Sequence, residues 1–67
     1  MFTEDVKIIL DSNKHLIVKH FKKVKSINDD YILIDNYLFV GNLLKITILD
    51  EGYIEIYGKI TEIKIVD

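Results

Sequence analysis

The chain has 67 residues, 49% of them hydrophobic, a formal net charge of −2, and neither cysteine nor proline. That length allows one small domain, and the missing cysteine excludes disulfides and thiolate metal sites, leaving His15 and His20 as nitrogen ligands. Every basic residue is a lysine, which argues against the arginine-rich basic surface of a typical nucleic-acid binder.

Isoleucine and valine supply about a quarter of the residues, and branched side chains favour a pleated sheet over a helix. A domain this small buries a modest share of its surface. An apolar content this high therefore points to a homo-oligomer. No apolar run approaches the ~18–20 residues of a membrane span. The opening MFTEDVKIIL carries acids where a secretion signal carries positive charge, so the expected location is cytoplasmic.

Residues 1–5 are expected to form a frayed start with Phe2 tucked in. Residues 6–10 form a short apolar run, and Asp11-Ser12-Asn13-Lys14 has the composition of a turn. Apolar character resumes over residues 15–21 (HLIVKHF) and continues through Val24 and Ile27. Across this first third Val6, Ile9, Leu10, Asn13, Leu16, Ile17, His20, Phe21, Val24 and Ile27 also fit a helical stripe. The DSNK interruption and the branched side chains favour strands, with an N-terminal helix as the alternative.

Beyond Asn28-Asp29-Asp30 the pattern is clearer. Residues 31–34 read as a strand, Asp35-Asn36 as a two-residue hairpin turn, and residues 37–40 as the returning strand. Gly41-Asn42 reads as a second turn. Residues 43–66 then alternate almost throughout, with Leu44, Ile46 and Ile48 on one face of a strand. Asp50-Glu51-Gly52 forms the turn, and Ile54, Ile56 and Ile60 carry the same face on the return. The apolar parity switches from even at Ile60 to odd at Ile63 and Ile65, which requires an inserted residue near Thr61-Glu62: a β-bulge. Gly58 fits a close backbone approach or the bend itself.

These elements predict a single all-β domain over residues 1–67, with six or seven antiparallel strands in a meander curled into a small sandwich or open barrel. The alternatives are a short β-solenoid and an α+β fold with an N-terminal helix.

Chemistry-bearing residues are sparse. His15 and His20 lack the further ligands and the second shell that a metal pair needs; one is expected exposed and the other packed with its ring hydrogen-bonded. Asp29-Asp30 and Asp50-Glu51 sit at hairpin tips, where such residues favour tight turns. Ser12 and Ser26 lie in no nucleophile elbow, and three scattered glycines form no phosphate cradle. No catalytic residue, cofactor or metal is expected, and the chain reads as a non-enzyme.

The candidate interaction surface is Lys19, Lys22, Lys23 and Lys25 with Tyr53 and Tyr57. Tyrosine joins an apolar body to a hydroxyl tip and suits an interface. With Phe21, Tyr31, Tyr37 and Phe39, the lysines could also serve a single-strand-binding barrel of the OB or Sm-like kind. They would equally suit an anionic membrane surface or guard a strand edge against unwanted pairing.

Taken together, LIVKHFKKV, INDDYILIDN, LFVGNLLKI and EGYIEIYGKITEIKIVD resemble the YabP/YqfC family of small sporulation proteins. Leu16, Ile17 and His20 match its first run, and Asp29, Asp30, Ile32, Ile34 and Asn36 its middle. Gly41, Leu43 or Leu44, Ile46, Ile54, Ile56, Gly58 and Ile60 match the remainder. Val18-Lys19 stand where the family has Glu-Asn, and Phe21-Lys22-Lys23 replaces a glycine-bearing segment. The resemblance implies strands in the first third and a non-enzymatic accessory protein of spore formation. Such a protein would act at or near the developing spore surface beside a protein partner, including a membrane protein.

Overall fold

The computed structural model describes residues 6–12 and 14–66, so the expected frayed start with Phe2 lies outside the described residues. Among the described residues there are six strands: β1 (Lys7–Ser12), β2 (His15–Lys19), β3 (Val24–Ile27), β4 (Tyr31–Ile34), β5 (Tyr37–Asp50) and β6 (Tyr53–Ile65). They form one sheet in the order β1-β2-β6-β5-β4-β3, every neighbouring pair antiparallel. The N-terminal helix does not form. Branched residues at 8, 9, 17 and 18 pair across the β1–β2 hairpin instead, Ile8 with Val18 and Ile9 with Ile17. Antiparallel pairing likewise rules out the solenoid, whose coils stack in parallel.

The all-β antiparallel expectation is met, but the strands are not a simple meander, because β2 pairs with β6 rather than with β3. The sheet is also neither closed nor strongly curled: β1 and β3 remain at its two ends with no pairing between them. The β5–β6 hairpin is its spine. One half of that hairpin pairs β2 with residues 53–57, and the other pairs β4 with residues 37–40. Gly41-Asn42 is not a turn but the middle of β5, where the register breaks between Val40 and Gly41 and again between Asn42 and Lys45. Residues 43 and 44 together stand opposite the single residue Gly58 there, so one residue is extra. Leu44 turns inward and is buried, while Leu43 takes φ +54° and is 76% exposed.

That break depends on two glycines. A Cβ on Gly41 would lie 2.0 Å from the Lys59 carbonyl oxygen. Gly58 has φ +138°, and a Cβ there would lie 2.7 Å from the Leu43 carbonyl oxygen. The close approach expected at Gly58 is present. The expected bulge is present too, because Val40 pairs Glu62 and Gly41 pairs Ile60, leaving Thr61 unpaired.

The core lies on one face of the sheet. Leu16, Val18, Ile54 and Ile56 supply one half, Ile32, Ile34 and Phe39 the other, with Leu44, Ile60 and Phe21 joining them in one cluster. One alternation fails: a second bulge between Ile46 and Ile48 shifts the register, so Ile48 pairs Glu55 and is exposed, whereas Ile46 pairs buried Ile56. The β2–β3 connection carries the chain from one half of the sheet to the other. It is pinned by the Asp35 carboxylate, which accepts the backbone N–H of Lys22 and of Lys23, each at 2.9 Å.

Candidate functional site

Strand alternation puts Ile54 and Ile56 of β6 in the core and Tyr53, Glu55 and Tyr57 on the opposite, outer face. The β2–β6 register sets His15 beside Tyr57, Ile17 beside Glu55 and Lys19 beside Tyr53 on that same face. These residues interlock. His15 Nε2 lies 2.9 Å from Glu55 Oε1, and the Tyr53 hydroxyl donates to the other oxygen, Oε2. The bulge in β1 between Leu10 and Ser12 brings Asp11 Oδ2 to 3.4 Å from His15 Nδ1. The imidazole also stacks on the Tyr57 ring, with centroids 4.3 Å apart and planes 15° from parallel. Lys19 Nζ stands 5.9 Å from the Tyr53 ring centroid, within the range of a weak cation–π contact.

The electrostatics follow from this geometry. The hydrogen bond to Glu55 raises the His15 pKa above its ordinary 6.5, and Asp11 adds to the effect. The hydrogen bond from Tyr53 chiefly lowers the Glu55 pKa below its ordinary 4.5, assisted by that from His15. Accepting a bond from Tyr53 also means that Glu55 holds the phenol proton in place, raising the Tyr53 pKa above 10.0. Both oxygens of Glu55 are occupied and both nitrogens of His15 face carboxylates. The network is therefore turned on itself, and its chemical effect is to fix the two tyrosine rings.

An open depression flanks each tyrosine. One, of about 630 Å³, is lined by Tyr53, Lys19, Phe21 and Lys22 with Glu51. The other, of about 560 Å³, is lined by Tyr57, Leu43, Asn42, Lys14 and Lys59. Lysines stand at both ends of the face, around aromatic and aliphatic carbon.

The structure thus brings Lys19, Tyr53 and Tyr57 together and sets Lys22 at the rim. It separates the other two lysines from them. Lys23 lies in the β2–β3 connection, and Lys25 occupies a bulge in β3, an end strand of the sheet, where a lysine suits an edge guard. His15 is the packed, hydrogen-bonded histidine and His20 the exposed one, at φ +64°. Among the described residues, no group of three histidine, aspartate or glutamate side chains is disposed to hold a metal ion. Leu43, Lys14 and Lys59 are surface residues that the sequence pattern did not single out. Simple alternation already sets Leu43 on the face opposite Leu44, but local pattern does not reveal the left-handed backbone at which it stands 76% exposed.

The fold and this face define a small all-β protein with a braced aromatic surface. No protein-family model, no curated protein and no solved structure matches the chain.

Proposed function

We propose that this chain is a non-enzymatic protein-interaction module whose binding surface is the outer face of β2 and β6. The observation that carries the reading is the bracing of Tyr53 and Tyr57 by the His15–Glu55 pair. Side chains held in place before binding lose little rotamer entropy on association, and tyrosine offers large contact area with few torsions. Lysines at both ends of the face suit a partner segment with acidic flanks and an apolar anchor. Exposed Leu43 and Tyr57 would meet the anchor, and Lys14, Lys19, Lys22 and Lys59 the acids. Lysine edges of this kind would also tolerate contact with an anionic membrane surface.

The biological setting we propose is spore formation. There the module would work from the cytoplasm at or near the developing spore surface, with a protein partner and as a homo-oligomer. This setting is supported by the pattern resemblance running through Leu16, Ile17, His20, Ile32, Ile34, Gly41, Ile54, Ile56 and Gly58.

The test is deletion of the gene in the source organism, with counts of heat-resistant spores after complementation. Wild type should restore the count, and a chain carrying Tyr53→Ser with Tyr57→Ser, shown by circular dichroism to be folded, should not. Normal spores in the deletion strain overturn the setting. Full rescue by the double variant overturns the surface. Salt-sensitive binding of a labelled oligonucleotide would favour a nucleic-acid-binding module instead.

A further inference from the structure

We infer that residues 61–65 of β6 form a homodimer edge, pairing antiparallel with the same segment of a second copy about a twofold axis through Ile63. The inference rests on the reading of the chain as an interaction module and names a second surface on it, away from the tyrosine face.

The edge is open. β2 pairs with β6 only over residues 53–57, so among the described residues no strand borders 59–65 on the side away from β5. The segment is also apolar where a paired strand would bury it: Ile65 is 75% exposed and Ile63 38%. Both stand opposite core-side residues of β5, Ile63 opposite Phe39 and Ile65 opposite Tyr37. The same stretch contains no proline, and its pairing with β5 is regular from Glu62 to Ile65. Proline, one of the usual devices that keep edges from pairing, is therefore absent, and the bulge at Thr61 lies only at the segment's start.

The backbone fixes which residues can bond outward. Hydrogen-bonded and non-hydrogen-bonded pairs alternate along an antiparallel ladder, and a two-residue turn closes on a hydrogen-bonded pair. Asp35-Asn36 is such a turn, closed by Ile34 and Tyr37. Tyr37 and Phe39 therefore bond toward β4, and Leu38 and Val40 toward β6. Their partners Lys64 and Glu62 bond inward to β5. Ile63 and Ile65 are left presenting N–H and C=O to the open side.

Only pairings that match outward groups to outward groups are allowed, and charge chooses among them. A twofold axis at Lys64 would set lysine against lysine, and one at Glu62 would set glutamate against glutamate. An axis at Ile63 sets Glu62 of each copy against Lys64 of the other, with Ile63 bonded to its own copy. Within one chain Lys64 Nζ already lies 3.5 Å from Glu62 Oε1, so the dimer would carry a four-charge ladder on one face and isoleucines on the other. Opposite charges directly across a ladder stabilise it and like charges weaken it.

Sedimentation equilibrium on the full chain tests this. Wild type should dimerise, and Glu62→Lys or Lys64→Glu alone should raise the dissociation constant roughly five- to tenfold, since each substitution creates two like-charge pairs per dimer. The combined Glu62→Lys/Lys64→Glu variant restores every cross pair and should return to within about twofold of wild type by the same arithmetic. Ile63→Pro removes an outward N–H without touching the bonds to β5 and should give a folded monomer. A wild-type chain that stays monomeric overturns the dimer edge and leaves the tyrosine face to its own test. Dimers indifferent to both charge variants also overturn it, as does failure of the combined variant to recover.

Discussion

The imidazole of His15 lies against the ring of Tyr57 while its Nε2 reaches Glu55, a residue 40 positions away in sequence. The His15 side chain is 17% exposed and that of Glu55 is 16% exposed, so the pair is held close to the sheet rather than extended into solvent. That relationship makes the stability of the domain pH-dependent in a definite direction. His15 has a raised pKa, so its contribution is complete below 6.5 and is lost as pH rises through the higher folded value. Glu55 has a lowered pKa, so its contribution is complete above 4.5 and is lost as pH falls through the lower folded value. Thermal melts should show a maximum between those limits, and Glu55→Gln should flatten both sides of it. A wild-type profile that rises steadily from pH 6.5 to 8 would contradict the His15 assignment.

Tyr53 supplies a third limb. Its raised pKa means that the protonated phenol is favoured by folding, so this contribution persists up to 10.0 and is lost above it. Tyr53→Phe should remove that alkaline loss. It should also raise the Glu55 carboxyl, because the lost phenol donor is the largest cause of its depression. NMR titration of the Glu55 side-chain carboxyl carbon reads this directly, and an unchanged midpoint would refute it.

The glycines at the centre of the long hairpin should tolerate no side chain. Gly58→Ala forces a Cβ against the Leu43 carbonyl at φ +138°, and Gly41→Ala forces one to 2.0 Å from the Lys59 carbonyl. Neither neighbour can retreat without breaking β5–β6 pairing. Each substitution should cost on the order of 3 kcal/mol, more than a typical single change, measured by urea unfolding. Set against the ~3–5 kcal/mol a core of this size supplies, this would leave about 0–2 kcal/mol, so both variants should be only marginally stable at room temperature. Losses under about 1 kcal/mol would show that the hairpin can relax at its middle.

These positions also show where the sequence was readable. The bulge at Thr61 was legible because parity is a local property: Ile60 and Ile63 cannot share a face unless a residue is inserted between them. The Asp35-Asn36 turn was legible from its chemistry, and Lys19, Tyr53 and Tyr57 share a face by simple alternation once β2 is set beside β6. Gly41-Asn42 was misread because glycine and asparagine favour both turns and strand irregularities, and only the pairing partner decides. The β5 stretch 43–50 reads as strict alternation, yet the bulge between Ile46 and Ile48 turns Ile48 outward without altering composition. The His15–Glu55 contact depends on register across 40 residues, and local pattern carries no trace of it.

The Asp35 carboxylate holds the β2–β3 connection, which crosses from one half of the sheet to the other, and its removal should loosen that connection before it unfolds the domain. It accepts the N–H groups of Lys22 and Lys23 at 2.9 Å each, while its own N–H donates to the Lys23 carbonyl at 2.9 Å. Its φ of +51° is left-handed, a conformation that aspartate and asparagine tolerate better than other side chains. Asp35→Ala therefore loses two charge-assisted acceptors and adds backbone strain, at a cost of about 2–3 kcal/mol. Asp35→Asn keeps the backbone preference and one good acceptor, and should cost about half as much by the same reasoning. Amide hydrogen exchange separates local from global effects. Lys22 and Lys23 amides should lose protection in Asp35→Asn while those of Ile54 and Ile56, deep in β6, keep theirs. Equal loss at all four amides would mean that Asp35 supports the whole sheet rather than its one crossover.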